Sequence, residues 1–368
     1  MKQLISIILI SIICLIFLPV KHFAQSTDSP KIKISAYLDS YFATDNDKII
    51  QNDDNSLKSA RQLTYVNYKK NEFALNIAQI SAELSADRFR ANVTLQAGDL
   101  VKTGYQDLGA QFPMLQQANV GYNFYSGFWI DAGLFLTHIG GEAMLPKDNW
   151  LSSHSLVTYF EPFYQSGVKV SYENEKMTAC IHILNGNGII ADNNFNKSVG
   201  LFFSHKCTDN FNFSYSNIYG NEEVGSPINA KIHFLQNLVL NYNLAEKLAL
   251  RGQFDLANKN FTDNTNPFGE NSKMYFGGSL TAHYLINDKF SATCRAAYVD
   301  NTDSLYVPTI KGLAYTLGAE YKPSDFTYIR LEGSLTDLDE NYKMFIDADN
   351  KPAASRMEVA LNFGVIIK

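Results

Sequence analysis

The segment RFRANVTLQAG, Arg88 to Gly98, alternates apolar and polar residues without a break. Phe89, Ala91, Val93, Leu95 and Ala97 share one register; Arg88, Arg90, Asn92, Thr94 and Gln96 share the other. A period of two places the sets on opposite faces of a β-strand. Two architectures accept such a strand. A soluble sandwich turns the apolar face to a protein core. A membrane barrel turns it to lipid and leaves the arginines in a lumen.

The pattern recurs sixteen times, from KISAYLDSYF at Lys33 to RMEVALNFGVII ending at Ile367. Connections alternate in length. Tight turns at Ser85–Asp87, Ser126–Gly127, Glu173–Glu175, Thr208–Asp209, Ala245–Glu246, Asn287–Asp288 and Pro323–Asp325 each follow a longer, polar loop. Strict alternation collects every long connection at one end. A sandwich has no reason to keep that rule, whereas an outer-membrane barrel does: short turns face the periplasm and long loops face outside. The pattern predicts an all-β, transmembrane antiparallel β-barrel of about 16 strands. Boundary error leaves fourteen or eighteen open.

Charge distribution agrees. The registers Leu248, Leu250, Gly252, Phe254, Leu256 and Phe290, Ala292, Cys294, Ala296, Tyr298 carry no charge, while Arg251, Asp255 and Arg295 stand in the opposite register. An arginine facing lipid at mid-membrane costs roughly 2–4 kcal/mol. Leu250 therefore reads as intolerant of charge and Gln253, one face over, as tolerant. Aromatics gather at strand ends: Phe89, Phe124, Phe128, Tyr172, Phe290 and Tyr321 by the short turns, Tyr219, Phe234, Phe276 and Tyr298 by the long loops. Rings at both rims match interfacial girdles.

The N-terminus supplies a route to that membrane. Lys2, an apolar run from Leu4 to Leu18, Pro19 and Ala24 read as a signal peptide over residues 1–24, cleaved after Ala24. The run is short for an anchor helix, and Ile13 before Cys14 argues against lipidation. Residues 25–368 then form the barrel, with no room for an N-terminal plug domain before the first strand. The formal net charge of −6 becomes more acidic once Lys2 and Lys21 are removed, which leaves no basic footprint for nucleic acid. Cys180, Cys207 and Cys294, an odd and widely spaced set, are not a disulfide framework, and Cys180 and Cys294, within predicted strands, read as small packing residues. No metal, cofactor or catalytic motif appears. Composition is otherwise permissive: 25 Phe and 21 Tyr against two Trp, at a mean hydropathy of −0.16.

One connection stands out. Ile139 to Gln165 is long, and NWLSSHSLVTYF (Asn149 to Phe160) spaces Trp150, Leu151, His154, Val157 and Tyr159 as a short amphipathic helix does, with Asp148 as N-cap and Pro162 as stop. This segment either enters the lumen or packs over its mouth. Arg90, Arg251, Arg295 and Arg330 fall in the lumen register of four strands, and the loop carries Glu142, Asp148 and Glu161. If the loop turns inward, these seven residues are candidate pore-lining and constriction groups, a basic band opposed by carboxylates. The alternative is that the arginines brace the wall against neighbours such as Glu332 and Asp255.

The stretch Gly133 to Tyr172 also resembles the OmpL-like β-barrel porins of bacterial outer membranes. The resemblance rests on Gly133 and Phe135 in a strand, Ile139-Gly140 with Glu142, Asn149 with Ser153 and Ser155, Pro162, and Ser166-Gly167-Val168 opening the next strand. It implies a pore-type barrel without catalytic residues to carry over. The expected function is a water-filled outer-membrane channel for small hydrophilic solutes. The expected partners are outer-membrane lipid, those solutes and the barrel-assembly machinery, with a homotrimer left open. The competing classes are a closed barrel serving as adhesin or scaffold, and an outer-membrane enzyme, for which His182 and His283 lack any joining motif.

Overall fold

A computed structural model describes residues 30–48, 61–104, 113–190, 192, 196–221, 231–260 and 272–367. The expected leader over residues 1–24 lies outside the described residues. The wall begins with β1 (Lys31–Asp45), β2 (Phe73–Ser85), β3 (Phe89–Ala97), β4 (Leu115–Tyr125), β5 (Phe128–Leu136), β6 (Tyr164–Glu173), β7 (Met177–Leu184) and β8 (Ser198–Lys206). It continues with β9 (Phe211–Asn221), β10 (Ile232–Ala245), β11 (Leu248–Asn260), β12 (Ser272–Leu285), β13 (Phe290–Asp300), β14 (Lys311–Ser324) and β15 (Thr327–Leu338). A small ribbon, β16 (Phe345–Ile346) and β17 (Pro352–Ala353), precedes the last wall strand, β18 (Ser355–Ile367).

Each wall strand pairs antiparallel with its neighbours, and β18 closes the ring on β1 through Ala36 opposite Ile367. Closure satisfies every edge, the one way a sheet can stand in hydrocarbon. Sixteen strands, seven short turns and eight long loops are the expected count and alternation. The two faces separate as the alternation requires. Phe89, Val93 and Leu95 point outward at 57%, 48% and 46% exposure, while Thr94 and Gln96 are buried inside. Arg88 is the exception to the expected register: it stands in the turn before β3 and not on the lumen face of a strand.

Outward aromatics pair across strands at both rims. Phe89 meets Tyr122, Phe128 meets Tyr172 and Phe290 meets Tyr321, with ring centroids 5.2, 4.8 and 4.7 Å apart, beside the short turns. Tyr219 and Phe234, 5.7 Å apart, do so at the other end. Cys180, Cys207 and Cys294 are free thiols.

Inside, the barrel is filled rather than hollow over much of its length. A short helix, α1 (Asp99–Gly104), and parts of the long loops fold back into the lumen. Two apolar clusters result. One joins Leu156, Val157 and Phe160 of the β5–β6 connection to inward residues such as Ile218, Leu235, Tyr275 and Val299. The other joins Met144, Leu145 and Phe163 to Tyr37, Leu100 and Tyr328.

Candidate functional site: the inward loop

The β5–β6 connection leaves the wall and returns to it at one point, where the Thr137 N–H donates to the Phe163 carbonyl at 3.0 Å. Between these residues the chain crosses the lumen. It does not form the expected helix over Asn149–Phe160. Two 3-10 turns, Pro146–Asp148 and Thr158–Phe160, flank bends, and Asp148 caps nothing. The spacing of Trp150, Leu151, His154, Val157 and Tyr159 reflects separate partners around the lumen and not one helical face.

The loop is organised around Asn149 and Glu142. The Asn149 amide accepts from the Ala143 N–H at 2.8 Å and donates back to the Ala143 carbonyl at 2.6 Å. Glu142 Oε2 accepts from the Ser155 N–H at 2.7 Å and the Thr158 hydroxyl at 2.9 Å. Its Oε1 accepts from Arg295 at 2.6 Å. Burial works against the Glu142 charge, but the guanidinium, His154 and these donors outweigh it and hold the carboxyl at about 2. Burial also keeps the His154 imidazole below its usual range.

A contiguous arc of the wall, β11 to β15, holds the loop. Arg295 on β13 donates to the Ser153 carbonyl at 2.7 Å and the His154 carbonyl at 3.0 Å. Glu332 on β15 accepts from the N–H groups of Ser152 and Ser153 and from the Ser153 hydroxyl. Arg330, paired with Glu320 at 2.6 Å, donates to the Pro146 carbonyl at 2.7 Å. Trp150 stacks on His283 of β12, centroids 5.0 Å apart and planes 8° from parallel. The Arg251 guanidinium of β11 lies 4.8 Å over the same indole. Gly318 on β14 leaves room for Leu151, whose methyl would sit 2.3 Å from an added Cβ.

The returning arm is held by neutral donors. Gln253 on β11 accepts from the Gly141 N–H at 3.0 Å and donates to Glu161 at 2.6 Å. Asn237 on β10 donates to both Glu161, at 3.5 Å, and Asp255, at 2.6 Å. Burial first, then the facing Asp255, push the Glu161 carboxyl well above its ordinary value. Gln253 is therefore a loop anchor, not the freely variable lumen position that alternation alone suggests.

The seven candidates separate into distinct settings. Arg295 meets Glu142, and Arg251 and Arg330 touch the loop through Trp150 and Pro146. Arg90 stands apart on β3, held by Asp131 at 2.6 Å and Glu173 at 3.0 Å, so the four arginines are not one band. Asp148 is half-exposed beside Lys147 at 2.9 Å and faces no arginine. Glu161 contacts amides and an acid, again no arginine. Sequence reading passed over Asn149, Glu320 and Gln253 as site residues. The last two share the inward register with Arg330 and Arg251, which was the available signal.

Two cavities flank the loop on the side of the short turns. One, of about 510 Å³, is lined by Trp150, Asn210, Asn243, Lys247 and His283 among others. The second, of about 210 Å³, includes Lys33, Gln79, Asn92 and Lys147.

Solved barrels share this architecture. An anion-selective porin from Comamonas acidovorans superposes with a TM-score of 0.61 at 11% identity, covering 92% of this chain and 100% of that one. The outer membrane channel DcaP of Acinetobacter baumannii gives 0.56 at 8% identity, covering 95% and 100%. OmpT of Vibrio cholerae, in a loop L8 deletion form, gives 0.54 at 12%, covering 92% and 100%. At such identities the likeness shows the fold. No curated protein sequence matches the chain. A family model described as "Putative beta-barrel porin-2, OmpL-like" matches residues 31–366, nearly the whole wall from β1 to β18. The chain belongs to that outer-membrane β-barrel porin family.

Proposed function

We propose that the protein is a passive, non-enzymatic channel for small hydrophilic solutes, and that the inward loop sets its bore. The observation that carries this reading is the anchoring of one segment to walls across the lumen: Glu142 to Arg295, Ser152 and Ser153 to Glu332, Glu161 to Gln253. A segment pinned at that depth leaves solutes only the space beside it. Arg251 borders that space, Glu142, Glu161, Arg295 and Arg330 are buried in the anchorage beside it, and Arg90 and Asp131 lie on the wall beyond it. Opposed charges in a narrow passage orient polar solutes and filter them by charge. In this reading the leader is removed after Ala24, the barrel-assembly machinery inserts the chain, and a homotrimer is one assembly to test by cross-linking.

Single-channel recording in planar bilayers tests the reading. Deleting Asn149 to Phe160 is expected to raise conductance, and an unchanged value in a heat-modifiable barrel refutes the constriction. The apolar packing of Leu156, Val157 and Phe160 against the wall favours a second reading, a closed barrel used as scaffold or adhesin. A full-length protein that never conducts, beside a deletion that does, supports that one.

A further inference from the structure

Arg251 differs from the other three candidate arginines. Arg90, Arg295 and Arg330 each hold a carboxylate of the chain. Among the described residues Arg251 has no such partner: its Nε donates to the Asn241 amide oxygen at 2.9 Å, and its guanidinium lies over Trp150. Glu142 acts on it from beyond contact distance, its oxygens taken by Arg295, Ser155 and Thr158. A guanidinium held by neutral groups keeps its fork of donors for a planar oxyanion.

The indole beneath this cation borders the larger cavity. Ala249, the preceding inward residue on β11, lines that space, as do Trp150 and His283. The parallel Trp150–His283 stack shows that the corner accepts flat rings face to face. Asn210 and Asn243 add neutral hydrogen-bonding groups, and Glu246 and Lys247 at the rim offset each other. About 510 Å³ falls within the range of small-molecule sites.

We propose that the Arg251–Trp150–His283 corner binds a small aromatic carboxylate, the carboxylate on Arg251 and the ring against the indole stack. Its part in solute passage rests on the channel reading; the binding does not. The corner lies on the short-turn side of the loop, so an occupant would meet the constriction from within the periplasmic half of the lumen.

Trp150 reports on the site once the other indole is removed. Trp129→Phe is suited to this, because Trp129 stacks with Arg90 on the far wall. In detergent-folded protein, benzoate is expected to change Trp150 fluorescence saturably. Acetate lacks the ring and benzyl alcohol lacks the charge, so each should bind at least about tenfold more weakly. Arg251→Gln should weaken benzoate by about the same factor, and Arg251→Lys should retain part of it. Equal binding of benzoate and benzyl alcohol, or no response from Trp150, overturns the proposal. The ligand series uses intact Arg251, so a misfolded variant does not decide the outcome. A protein that conducts without binding benzoate loses the site and keeps the channel. One that binds benzoate without conducting loses the channel and keeps the site.

Discussion

Arg295 on the wall and Glu142 on the inward loop meet at 2.6 Å, with side chains 4% and 9% exposed. They are separated by 153 positions in the chain, yet each is the other's principal counter-charge. Removing one partner strands the other in a poorly solvated place, at a cost of about 3–5 kcal/mol. Glu142→Gln is expected to loosen the loop without opening the wall. Limited proteolysis should then cut between Thr137 and Phe163 while the barrel stays heat-modifiable. Replacing both, Glu142→Leu with Arg295→Met, should restore most protection, and a double-mutant cycle measures the coupling. Because the Glu142 carboxyl is held at about 2, its stabilisation is present above the ordinary value of 4.5 and fades as pH falls toward 2.

Glu161 predicts the opposite pH response. It faces Asp255 and Gln253 from β11, Asn237 from β10, and Glu142 and Thr158 from its own loop. None of these is a cation. A carboxyl raised in the folded state favours that state at low pH, and the contribution is lost as pH rises through the raised value. Protease susceptibility of the loop, and conductance if the channel reading holds, should increase with alkalinity. Glu161→Gln should flatten that dependence. A flat profile in the unsubstituted protein counts against a raised Glu161 carboxyl.

The lipid face offers a cleaner contrast. Leu280 on β12 is 60% exposed, and its partner on β11 is Gly252, around which an added Cβ meets nothing within 4 Å. Leu280→Arg should cost roughly 2–4 kcal/mol and reduce the heat-modifiable fraction. Gly252→Leu, filling open space against lipid, should fold as well as the parent. A Leu280→Arg barrel that folds as well as the parent would mean that inside and outside are interchanged.

The wall was legible in the sequence because a barrel strand obeys a local rule. Alternation assigns each side chain to a face from its own neighbours, so the registers of Phe89 and Arg90, and the aromatic rims, could be read without knowing any partner. The loop obeys no such rule. Leu151 sits against Gly318, Trp150 against His283 and Tyr159 against Tyr65, three partners from three parts of the chain. Their spacing mimicked a helical stripe by coincidence of contacts. The arginine pairs were half legible: an inward cation in a polar wall needs an anion, but choosing Asp131 for Arg90 requires the pairing of β3, β4 and β5.

The anchoring of Ser152 and Ser153 to Glu332 spans about half the chain, at separations of 180 and 179 residues. The loop is made well before β10 to β15, the strands that later grip it. Once β18 has joined β1, the only way in is through a mouth crowded by other loops. Seating the segment inside the curve of the sheet before the ring shuts would avoid that passage. Contacts of such long range make assembly slow.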